Sequence, residues 1–225
     1  MKVNELNSWV TLDILRVPAR VQQKLTQKGA SCALIEKMSL NPSGALCSLL
    51  GPKGQNWVQK KNLNASDVVH AQQRAQNVLS QLRSHQMWVV TPISHPWLFN
   101  SVHPPLCLYG RGNSKLLGPE LPKIAVVGTR HPTQQGKERT QKWVHHWVEK
   151  GFCIVSGAAR GIDTTAHQST FEAGGLTIAV LGNEWPAMID PRRFTWPPEQ
   201  YQSAFCALTE YAPWKPCHKG AFVAP

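Results

Sequence analysis

The chain has 225 residues, of which 42% are apolar and only 16% charged; this excludes a wholly disordered polymer and allows a core without disulfide or metal staples. Lys and Arg number 24 against 13 Asp and Glu, a net charge of +11. A surplus of that kind either serves a solvated basic face or attracts a polyanion, most commonly nucleic acid.

The opening Met1-Lys2-Val3-Asn4-Glu5-Leu6-Asn7 has no apolar run of a secretory signal. Trp9, Leu12, Ile14 and Leu15 start an amphipathic stretch that Pro18 breaks. Val21, Leu25 and Gly29 predict a second short helix with a glycine stop, and Ala33 to Met38 a third. Asn41-Pro42-Ser43-Gly44 reads as a turn. Ser66-Asp67 reads as the N-cap of a helix to about Arg83, with Val68, Val69, Ala75, Val78, Leu79 and Leu82 at helical spacing. The expectation is a small helical domain over residues 1–84.

Texture changes near Met87. Met87-Trp88-Val89-Val90 and Leu106-Cys107-Leu108-Tyr109-Gly110 are strand-like, separated by a proline-rich stretch, and residues 111–122 read as loop. From Lys123 short apolar runs alternate with helical stretches. Ile124 to Val127, Phe152 to Val155 and Ile178 to Leu181 are strands, and Phe205 to Leu208 is a candidate fourth. Between them lie helices over Lys137 to Lys150, with Trp143, Val144, Trp147 and Val148 on one core face, and over Ile162 to Ala173. Continuous apolar runs alternating with helices predict a parallel α/β sheet with both faces covered. Residues 85–225 are expected to form this second, α/β domain. No run reaches the roughly 18 apolar residues of a membrane span, so a cytoplasmic protein is expected.

In such a sheet the ligand crevice lies beyond the carboxyl ends of the strands. There the sequence places Gly128-Thr129-Arg130, then Ser156-Gly157-Ala158-Ala159-Arg160-Gly161, then Gly182-Asn183. Small turns that expose backbone N–H groups, with two guanidiniums, suit a phosphate or a run of phosphates. The glycines taken alone also fit any tight turn. Gly157-x-x-x-Gly161 matches neither a dinucleotide fingerprint nor a P-loop. Asp163 is expected to cap the following helix, and His167, one turn on, to be a hydrogen-bonded structural residue. Cys32, Cys47, Cys107, Cys153, Cys206 and Cys217 form no C-x-x-C pair, so free thiols, no metal and no cofactor are expected.

Pro122 to Leu181 resembles the DNA-processing protein A family (DprA, also called Smf). The matching stretches are Ile124 to Arg130, Ile154 to Asp163, Ala166-His167, and Glu172-Ala173-Gly174-Gly175 through Leu181-Gly182. Upstream, His95-Pro96 and Pro104 to Asn113 resemble the family's lead-in, and the helical part resembles its SAM-like or helix-hairpin-helix domain. The resemblance implies an extended Rossmann fold that binds single-stranded DNA without catalysis. It implies protection of incoming strands in natural transformation, help in loading the RecA recombinase, and a homodimer.

By the same resemblance Gly128, Thr129 and Arg130 line the DNA pocket, and Lys219 and Phe222 add contacts; the strand-end reading adds Ser156, Gly157, Arg160 and Gly161 to the expected site. The chain departs from the family before its Arg-Asn-Arg motif. That predicts an incomplete sheet with an unpaired edge beside the strand at Phe205 to Thr209. Two readings stand beside this one. A nucleotide-monophosphate phosphoribohydrolase-like enzyme would need a Pro-Gly-Gly-x-Gly-Thr loop, which does not occur. A degenerate interaction remnant would have lost DNA binding.

Overall fold

A computed structural model describes residues 3–18, 21, 24–25, 31–101, 104–182 and 197–211. The chain divides into two compact units, one of Met1–His85 with Val89–Leu108 and one of Gln86–Trp88 with Tyr109–Pro225.

The first unit is helical. Helices α1 (Val3–Ile14), α2 (Ser31–Leu40), α3 (Pro42–Leu50), α4 (Pro52–Lys61) and α5 (Ala65–Ser84) pack around the fully buried Trp9, Leu12, Met38 and Leu46. Two starts differ from expectation. The segment read as a turn at 41–44 is instead a helix start. Asn41 accepts a hydrogen bond from the Gly44 N–H at 2.9 Å, and Pro42 occupies the first helical position, where its missing N–H costs nothing. The long helix is capped by Asn64 rather than by Ser66-Asp67. Asn64 and Asp67 exchange reciprocal bonds of 3.0 and 2.9 Å, a capping box in which Asp67 takes the third helical position.

The sheet has six strands in the order β1-β2-β6-β5-β4-β3. They are β1 (Met87–Val90), β2 (Leu108–Gly112), β3 (Lys123–Ala125), β4 (Cys153–Ser156), β5 (Thr177–Val180) and β6 (Phe205–Thr209). β3 through β6 run parallel, and β2 joins β6 antiparallel with Tyr109 opposite Thr209. The sheet is therefore mixed, an α/β architecture with one antiparallel addition to the parallel set. Helices α6 (Gln134–Glu149) and α7 (Ile162–Glu172) pack against each other and against β4. Between them lie the fully buried Val144, Ile154 and Ala166, ringed by Ile124, Val126, Trp147 and Val148.

The sheet edge differs from the expectation. β6 lies inside the sheet between β5 and β2, and all five of its residues are buried. Among the described residues the strands with a neighbour on one side only are β1 and β3, and Ala125 of β3 is exposed. Trp143 also differs, being 59% exposed on α6 while Trp147 packs on the core.

Candidate nucleic-acid interface

The parallel register brings the carboxyl ends of β3, β4 and β5 to one edge of the sheet. The segment after β3 carries Gly128, Thr129 and Arg130, and the segment ending β4 carries Ser156, Gly157, Arg160 and Gly161. Hydrogen bonds stitch the two together. Ser156 Oγ donates to the Val126 carbonyl at 2.7 Å, and the Ile162 N–H donates to the Thr129 carbonyl at 3.1 Å. Thr129 Oγ1 accepts from the His131 N–H at 3.2 Å, which shapes the turn that carries Arg130. Arg130 and Arg160 are exposed. Lys219 and Phe222 lie outside the described residues, as does Asn183.

The glycines are steric requirements of this junction. Gly128 faces Ile162, whose Cγ1 would lie 2.7 Å from an added Cβ. Gly161 has φ +91° and a Cβ there would overlap the Thr129 carbonyl oxygen. Ala158 adopts φ +54°, a left-handed conformation that costs an L-residue roughly 1–2 kcal/mol. The β4–α7 turn is thus held under strain, as ligand-contacting turns often are.

Asp163 has a different part from the one expected. The N-cap of α7 is Gly161, without a side-chain cap bond. The buried Asp163 Oδ2 instead accepts from the Ala159 N–H at 3.3 Å and so braces the strained turn. Sequence spacing placed it on the right helix face but not beneath the loop. His167 is the hydrogen-bonded structural residue expected. Thr177 Oγ1 donates its single proton to the Ile154 carbonyl at 2.8 Å and sits 2.7 Å from His167 Nδ1. Nδ1 must therefore be the protonated nitrogen. Nε2 is then a buried acceptor with no partner among the described residues.

Burial lowers the His167 pKa to about 4, the Asp163 carboxylate opposing the shift. The unfolded chain thus binds more protons than the folded one between the ordinary value of 6.5 and about 4. Stability is complete above that window and falls as pH drops through it, by about 3 kcal/mol from this group. His167→Gln should show a shallower loss than the unaltered chain when urea unfolding is compared at neutral pH and near pH 4. Parallel losses would place the acid sensitivity elsewhere.

A separate cleft of about 220 Å³ lies at the opposite edge of the sheet, lined by Gln86, Arg111, Gly112, Gln202 and Phe205. The register puts Gly112 opposite Cys206 at the start of β6, so this cleft is not part of the crevice. The buried thiols are unreactive, burial raising Cys153 to about 11 and Cys206 to about 12. Among the described residues no His, Cys, Asp and Glu cluster has metal-site geometry, and no helix is long and apolar enough to cross a membrane.

The sequence profile of the DNA recombination-mediator protein A family matches residues 86–224, more than half of the chain. The chain belongs to this family. It is 43% identical over 89 residues to the DNA processing protein DprA of Streptococcus pneumoniae, covering 39% of this chain and 30% of that one. It is 31% identical over 158 residues to protein Smf of Escherichia coli, covering 61% of this chain and 41% of that one. The matched stretch thus spans less than half the length of either relative. The X-ray structure of DprA from Streptococcus pneumoniae is similar with a TM-score of 0.55 at 24% identity, over 85% of this chain and 70% of that one, a likeness of fold. The family stretch includes both crevice loops.

Proposed function

We propose that the protein binds single-stranded DNA at the crevice formed by Gly128, Thr129, Arg130, Ser156, Gly157, Arg160 and Gly161, and that it does so without catalysis. The observation that supports this best is the pairing of two exposed guanidiniums, Arg130 and Arg160, on turns locked together by the Ile162–Thr129 bond. Rigid turns present positive charge and backbone N–H groups to phosphates at little cost in ordering. The family's DNA-processing relatives and the net charge of +11 support the same reading. Asp163 and His167, the two titratable groups behind the crevice, are committed to bracing bonds, which favours binding over chemistry.

Protection of incoming strands, loading of RecA and assembly as a homodimer belong to the same proposal, as do contacts from Lys219 and Phe222. They follow from the residue-by-residue resemblance. Nuclease protection and stimulation of RecA filament formation test the first two, and light scattering the third.

The direct test is an electrophoretic shift with an unstructured oligonucleotide. Arg130→Ala should weaken binding by about 1.5–3 kcal/mol, the worth of a hydrogen bond to a charged group. Lys53→Ala, on the exposed start of α4, should change it little. Raising salt should weaken binding with a log–log slope near −0.7 per phosphate neutralised. Equal effects of both substitutions, salt-independent binding, or equal affinity for duplex would overturn the assignment.

A further inference from the structure

We infer that the outer face of α6 is a second contact surface for the same single strand, an aromatic and basic track that leads away from the crevice. The inference rests on the proposed DNA binding and extends it to residues outside the crevice loops.

α6 begins directly after the Arg130 turn, with Thr133 as N-cap accepting from the Gly136 N–H at 3.1 Å. Its N-terminus therefore lies at the crevice edge of the sheet, and the helix runs down from it. Arg139, Lys142, Trp143, His146 and Lys150 are all exposed. At about 100° per residue they fall in a stripe roughly 100° wide on the side of the helix away from the buried Val144. Arg139 stands roughly 8 Å below the helix start and Lys150 about 16 Å beyond Arg139. A nucleic-acid strand leaving the crevice along this face would meet Arg139 and Lys142, then the Trp143 ring, then Lys150.

Trp143 is the feature that a solvated basic helix does not explain. Its position invites burial with Val144 and Trp147, yet 59% of it is exposed. His146 stands edge-on to it, with ring centroids 6.0 Å apart. A large aromatic ring held among cations is the arrangement on which bases stack while their phosphates are neutralised. Of the two carboxylates on the helix, Glu138 accepts from Gln134 Nε2 at 3.1 Å, and Glu149 lies to the side of the stripe. Every base has a π-face, so the track has no means of reading sequence, and a duplex keeps its base faces stacked out of reach. The occupant is therefore a single strand.

The experiment uses the full chain and unstructured oligothymidylates, one short enough to fill only the crevice and one long enough to reach Lys150. Trp143→Ala should weaken the long oligonucleotide by on the order of tenfold and leave the short one unchanged. Trp143→Phe should keep most of the affinity but lose the fluorescence quenching that stacking on the indole produces. The double variant Arg139→Ala with Lys142→Ala should lower the salt slope by about 0.7 for each phosphate contact removed.

Unchanged long-strand affinity in Trp143→Ala, together with a loss in Arg130→Ala, overturns the track and leaves the crevice standing. Loss in the track variants with none in Arg130→Ala supports the track and overturns the crevice. Equal competition by duplex overturns the single-strand occupant, and failure of the unaltered chain to bind either oligonucleotide overturns both readings.

Discussion

Gly161→Ala should abolish most DNA binding, with a loss at least as large as that of Arg130→Ala, although Gly161 brings no charge. Gly161 has φ +91° and ψ −122°, a region open essentially to glycine alone. Forcing another residue there costs roughly 1–3 kcal/mol. The added methyl would also overlap the Thr129 carbonyl oxygen and lie 2.8 Å from the Arg130 carbonyl carbon. Both of those neighbours are backbone, so relief requires the Arg130 turn to move. The Ile162–Thr129 hydrogen bond of 3.1 Å would go with it, and a guanidinium on a loosened turn forfeits its preorganisation. Gly174→Ala is the control. Gly174 also has positive φ, at +68°, but nothing lies within 4 Å of an added Cβ. It should cost roughly 1–2 kcal/mol of stability and leave affinity unchanged. DNA titration and urea unfolding of both variants decide the matter, and wild-type affinity in Gly161→Ala would refute the steric argument.

Trp9→Ala should be the most destabilising single change in the helical unit, by about 3–5 kcal/mol. Trp9 is fully buried on α1, and its removal leaves a cavity among the packed helices that their backbones cannot readily close. Trp9→Phe should cost far less. The Trp9 Nε1 is buried without a hydrogen-bond partner among the described residues, and an unpaired buried donor costs about 1–3 kcal/mol. Phenylalanine deletes that donor while keeping most of the apolar volume, so two contributions oppose each other. Urea unfolding followed by the helical circular dichroism signal reads both variants. Equal destabilisation by the two would mean that the indole N–H has a partner and that shape alone does not govern the site.

Much of the sheet-forming unit was legible in the chain because its signals are local. Four-residue apolar runs at Ile124, Phe152, Ile178 and Phe205 recur with helical stretches between them, and each run became a strand within a residue or two. The crevice loops were legible for the same reason, since glycines at successive strand ends mark turns wherever the strands run parallel. Local signals failed where two meanings compete. Asn41-Pro42 suits a turn as well as a helix start, and only the continuation of the chain through Leu50 with Ala45 and Leu46 buried selects the helix.

Length, apolar periodicity and glycine placement were thus enough to determine an α/β sheet and a helical unit, and to put the glycine-bearing turns at the strand ends. Tertiary structure alone decided which strand forms the edge, because strand order depends on pairings between distant residues that no local window contains. It placed β6 between β5 and antiparallel β2, and left β1 and β3 with one neighbour each among the described residues. It turned Trp143 outward, while Val144, Trp147 and Val148 of the same helix pack on the core. It also sank the Asp163 carboxylate under the Ala158 turn. That placement depends on how helix and loop close on each other rather than on the residues beside it in the chain.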